Sequence, residues 1–169
     1  LVPLTLSGRP LERLQDLAGL SLQVEASCNG AAFRNAMLVT HRGLSGPAIL
    51  QISSYWQPGD DLRIDLLPGE DANAWLAARQ RARGEAELRT VLGDVLPRRF
   101  AQRLCEAWLP SRPMTQYTPA QLREVAGILA AWPLVPSGTE GYRTAEVTLG
   151  GVDTAGLSSS SMMSRHVPG

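Results

Sequence analysis

Alternating strands at both ends of the chain, with amphipathic helices between them, predict an α+β fold: a small antiparallel, β-barrel-like sheet interrupted by a helical-bundle subdomain. Three observations carry this reading. Residues 20–26 and 62–66 alternate apolar with polar side chains, residues 71–132 hold a series of segments with helical spacing and cap chemistry, and alternation returns at residues 145–149. Residues 1–69 and 134–152 are therefore assigned to the sheet, residues 70–133 to the helices, and residues 153–169 to a connection leading away.

The first strand places Leu20, Leu22, Val24 and Ala26 on one face and Ser21, Gln23 and Glu25 on the other. Asn29-Gly30 follows, a pair suited to a two-residue hairpin because both residues tolerate positive φ. Residues 32–40 are the return strand, and Leu62, Ile64 and Leu66 make a third after the Pro58-Gly59 turn. A helix is predicted over residues 71–83, with arginines at 79, 81 and 83 near its end and Gly84 as its stop. Residues 85–95 form a shorter helix. Residues 97–109 form another, with Phe100, Leu104 and Trp108 on one face. The helix over residues 118–132 is the best signposted: Thr118 caps, Pro119 occupies the first turn, and Gln121 completes a capping box. Ala145, Val147 and Leu149 then alternate with Glu146 and Thr148 until Gly150-Gly151 stops the strand.

Composition removes several function classes. All sixteen basic residues are arginine. Without lysine there is no Walker A loop, no Schiff-base chemistry and no kinase-type lysine. Cys28 and Cys105 belong to no metal-spaced cluster, and His41 and His166 are the only imidazoles, so the expectation is two reduced thiols and no metal site. No apolar run approaches the ~20 residues that cross a bilayer. The expectation is a cytoplasmic protein with no membrane partner. Residues 70–112 carry eight arginines against six acids, a mildly basic surface that reads as solvated helix faces with no nucleic-acid partner. Leu1 is not an initiator methionine and Val167-Pro168 reads as the approach to a further strand, so both ends read as cut from a longer chain.

Residues 38–53, LVTHRGLSGPAILQIS, condense a strand, a glycine-rich turn and a helix start into one stretch. Ser45 reads as the helix N-cap, with Pro47 behind it and Gly43 and Gly46 shaping the turn. The freed N–H groups of such a helix would face a ligand or a neighbouring backbone. Thr40, His41, Gly43, Ser45, Gly46, Gly150 and Gly151 are the candidate ligand-facing residues; no catalytic residue is assigned. A serine hydrolase built on His41 and Ser45 finds little footing, because proline stands where a GxSxG elbow needs its second glycine.

Together with AEVTLGGV at residues 145–152 and SRHVPG at residues 164–169, this stretch resembles the YhiN/BaiN-type family of bacterial flavoproteins. The three motifs come in the family's order around an arginine-rich helical stretch. The resemblance implies an NAD(P)- and FAD-dependent oxidoreductase, in which this chain is the domain inserted between two halves of the flavin-binding domain. It implies further that the domain covers the flavin, excludes water and helps form the pocket for a small-molecule substrate carrying an activated double bond. The partner would be the flavin-binding domain of the same polypeptide, and the fragment alone would not turn over. By the same resemblance, the seven candidate residues face substrate or flavin, and Gly150-Gly151 lies where the chain re-enters that domain. The alternative is a non-enzymatic module that recognises protein or nucleic acid through the arginine-bearing helices.

Overall fold

A computed structural model describes residues 1–167. Pro168 and Gly169, where the sequence leads toward a further strand, lie outside the described residues. The strands are β1 (Leu4–Thr5), β2 (Ser21–Cys28), β3 (Ala31–Val39), β4 (Gly43–Ser45), β5 (Leu62–Asp65), β6 (Trp132–Leu134) and β7 (Gly138–Thr139). They form one antiparallel sheet in the order β6-β5-β2-β3-β4-β1-β7. Its two outermost strands, β6 and β7, are separated by only residues 135–137. So short a link forces the sheet to curl until its edges approach, which gives the barrel-like shape.

The central hairpin follows from alternation. Leu22, Val24, Ala26 and Cys28 are buried while Ser21 and Gln23 face water, and β2 pairs with β3 from Ser21↔Leu38 to Cys28↔Ala31. Asn29 and Gly30 both take positive φ, 49° and 80°, as the favoured two-residue turn requires. Asn29 also donates from Nδ2 to the Tyr55 carbonyl at 2.9 Å, tying the hairpin end to the next loop.

The helices α3 (Ala72–Ala82), α4 (Leu88–Leu92), α5 (Arg98–Ala107) and α6 (Pro119–Ala130) occupy the interval between β5 and β6, which are neighbours in the sheet. Trp132 joins the two layers. It is wholly buried, with Phe100 and Trp108 edge-on at 5.6 and 5.2 Å, so sheet and helices share a continuous core. Among the described residues no helix is long and apolar enough to cross a membrane.

Four local expectations are corrected. A short helix, α1 (Gly8–Leu14), runs into a 3-10 turn (Gln15–Leu17) in a region read as β, burying Leu14 and Leu17. Ser45 does not cap the next helix: β4 extends through it, pairing it with Leu38, and Gly46 at φ 89° is the cap of α2 (Pro47–Ile52). Gly84 is not a left-handed helix stop; its missing Cβ makes room for the Thr115 methyl. Residues 145–149 are not a strand. Alternation yields a strand only where a sheet edge receives it, and here Val147 and Leu149 stand 60% and 74% exposed.

Candidate functional site

The β3–β4 connection gathers the first group of candidates. Thr40, His41 and Arg42 form the turn, and the Thr40 hydroxyl accepts from the Arg42 and Gly43 amides at 3.2 and 3.0 Å. Thr40 closes the turn further by donating its own N–H to the Gly43 carbonyl at 2.8 Å. This hydroxyl is thus occupied in shaping the chain. His41 is exposed, and among the described residues no hydrogen bond joins it to Ser45, so the structure assembles no nucleophile and base there.

The glycines in this hairpin answer to backbone packing. Gly43 lies opposite Thr5 of β1, and a Cβ on it would collide with the Leu4 carbonyl oxygen. A Cβ on Gly46 would sit 2.8 Å from the Ala36 carbonyl oxygen. The helix beyond is six residues long and begins with a proline, which has no N–H. Pro47 therefore removes one of the amides expected above the turn.

Beside this hairpin residues 1–5 run alongside residues 137–147. Ser137 donates to Thr5, Glu140 to Pro3 and Glu146 to Leu1, through backbone bonds of 2.8, 3.0 and 2.9 Å. The Leu1 amine closes the ladder on the Val147 carbonyl at 2.5 Å. Arg42 reaches across to Glu140 at 2.9 Å, pinning the turn to this paired tape. A cleft of about 240 Å³ lies here, lined by Leu1, Val2, Ser53, Tyr142, Val147 and Leu149. Gly150, at φ 85°, and Gly151 have open space where a Cβ would be. Whatever close approach they permit is made to none of the described residues.

Exposed apolar side chains concentrate in the same segment. Tyr142, Val147, Leu149, Val152, Met162, Met163 and Val167 are all more than half exposed, against three large apolar residues so exposed or nearly so in residues 1–141. Such clustering is uncommon on the free surface of a monomeric protein.

A second concavity, of about 520 Å³, lies on the helical layer between α4 and α5. Arg83, Arg89 and Arg98 line it with Thr90, Asp94 and Gln102. Arg83 pairs with Asp94 at 2.5 Å and Arg89 with Glu87 at 2.9 Å, while Arg98 has no carboxylate within 4 Å among the described residues. Counting charges along the sequence missed this site, because its arginines come from three separate segments. The buried thiols lie elsewhere: burial pushes Cys105 up to about 11 and raises Cys28, which Asp60 and Asp61 raise further. Both are inert protonated thiols at neutral pH. Among the described residues no three His, Cys, Asp or Glu side chains are placed to hold a metal ion.

Comparison with known proteins assigns the architecture. The family described as HI0933-like protein barrel and H2TH domain matches residues 1–147. The chain belongs to this family. The curled sheet and the helical layer are thus the two parts its description names. A barrel and H2TH relative from Escherichia coli (strain K12), named ribosomal RNA dihydrouridine synthase, is 47% identical over the whole chain. Another of the same name, from Haemophilus influenzae, is 40% identical over 92% of it. The chain spans 43% and 39% of these relatives, less than half the length of each.

Proposed function

We propose that this barrel and H2TH domain is the insert of a flavin-dependent oxidoreductase that reduces uridine in ribosomal RNA. The observation that carries the reading is the 47% identity, across the whole of this chain, to a protein named for that reaction. Dihydrouridine is uridine saturated across its C5=C6 bond, so the reaction adds one hydride and one proton to an activated double bond. NAD(P)H is the proposed electron donor and FAD the proposed carrier. In this reading an RNA base replaces the free small molecule anticipated from the sequence, and a cytoplasmic location follows from a ribosomal substrate.

The domain's own residues do not fit an FAD site. It has no GxGxxG motif, its apolar cleft is about 240 Å³, and its larger concavity is walled by arginines and other polar groups. FAD is therefore assigned to the rest of a longer polypeptide, and the contribution of this domain is binding, positioning and exclusion of water. Two features support an insert. The entering and leaving strands pair with one another, as a domain placed inside another chain requires, and the apolar side chains of residues 142–167 await a cover. That cover is the flavin-binding domain.

The test is dihydrouridine in ribosomal RNA from cells lacking the full-length gene, with and without complementation, alongside visible absorbance of the purified full-length protein. Loss and recovery of the modification, and a yellow protein bleached anaerobically by NADH or NADPH, are expected. Unchanged ribosomal RNA, or a colourless protein that takes up no FAD, would overturn the reading.

A further inference from the structure

We infer that the arginine-lined groove between α4 and α5 binds the phosphate backbone of the RNA strand, with Arg98 as its principal contact. The inference rests on the proposed ribosomal RNA substrate and names the surface of this domain that would hold it.

The groove is open and polar. Its lining carries three guanidinium groups against one carboxylate, Asp94, with the hydroxyl of Thr90 and the amide of Gln102 beside them. Guanidinium forks match phosphate oxygens, and hydroxyl and amide donors are the usual auxiliaries of backbone contacts. No aromatic or aliphatic side chain lines the site, so a base or another flat ring finds nothing to stack on. A polyanionic backbone fits these walls; a nucleotide-sized metabolite does not.

The local charge pattern sharpens the case. Across residues 70–112 the surplus of arginine over acid is only two, but it is unevenly spread. The adjoining groove shares Gln102 and holds Arg103, which is neutralised by Asp16 and Glu106. Arg98, in contrast, stands in a first helical turn that contains no acidic residue. Its positive charge is met by no carboxylate within 4 Å among the described residues. Arg98 should therefore contribute most, because Asp94 already holds Arg83 and Glu87 already holds Arg89.

Phosphate contacts position a strand without reading its sequence, so the groove would anchor RNA while its target base is handled elsewhere in the protein. Each phosphate contact adds about one unit to the salt slope of log affinity and is worth roughly an order of magnitude at 0.1 M salt.

The experiment measures binding of transcribed ribosomal RNA to the full-length protein between about 50 and 200 mM salt, the range over which such contacts weaken. Wild type is compared with Arg98→Glu, Arg98→Ala, Arg83→Gln and Asp94→Asn. Flavin absorbance and the rate of flavin bleaching by NAD(P)H serve as readouts that RNA does not touch. Expected are a loss of roughly tenfold or more in affinity for both Arg98 variants and a salt slope lower by about one, with a smaller loss for Arg83→Gln. Asp94→Asn is expected to bind more tightly, a gain that mere disruption of the fold cannot produce. Flavin content and bleaching should be unchanged throughout. Wild-type affinity and slope in the Arg98 and Asp94 variants would overturn the groove while leaving the proposed function standing. A wild-type protein that neither binds ribosomal RNA nor supports its dihydrouridine would overturn both.

Discussion

A methyl group on Gly43 would occupy the space of the Leu4 carbonyl oxygen, and neither partner is a flexible side chain that can swing aside. Gly43→Ala is therefore expected to cost about 2 kcal/mol or more, measured by urea unfolding, by forcing β1 away from β4. The sequence showed that glycine mattered here but not what approached it, since Leu4 lies almost forty positions earlier in the chain. Asp65 offers a different residue-scale test. Burial raises its pKa, Glu25 adds to the rise, and the Leu67 amide and Arg34 oppose it. A raised folded-state value means the neutral acid is favoured in the fold, so its contribution is complete below the unfolded value of about 3.9 and declines as pH rises through the folded one. Asp65→Asn keeps an oxygen for the Leu67 amide and removes the charge. Its Tm is expected to exceed that of wild type at pH 7, with the difference vanishing below about pH 4.

Elements whose determinants lie within a few residues were legible. The capping box of α6 is present as read, with Gln121 donating to the Thr118 hydroxyl at 3.3 Å and the Thr118 amide to Gln121 at 3.0 Å. Thr118→Ala should cost about 1 kcal/mol in the same unfolding assay. The Asn29-Gly30 hairpin was equally plain. Elements that depend on remote partners were not: residues 145–149 alternate correctly yet find no sheet edge, and Ser45 became strand because Leu38 was there to pair with it. In α1, a glycine and a proline in the first turn masked the spacing of Leu11, Leu14 and Leu17.

For the whole molecule, the sheet and helical layers were readable from their periodicities, and their joint was not. Trp132, between Phe100 and Trp108, makes one core of the two, although the boundary drawn from sequence at residue 133 placed it at the end of the helical part. The candidate sites divide in the same way. The turn that opens at Thr40 was legible, whereas the arginine groove needs three segments to meet in space. Residues beyond Val147 make no part of the core. Truncation after Val147 is expected to leave the Tm within about 2 °C of the longer chain, read by calorimetry or circular dichroism, because exposed segments without core contacts contribute little to stability.

The backbone bond from Glu146 to Leu1 has an evolutionary corollary. Two points of a polypeptide that touch can be bridged by a tight turn, so the stretch they enclose can be removed from a longer chain, or added to one, with little displacement of what flanks it. The barrel and helical layer then behave as an exchangeable cassette. On the proposed function, one genetic step would give a redox enzyme its RNA-binding part, or remove it.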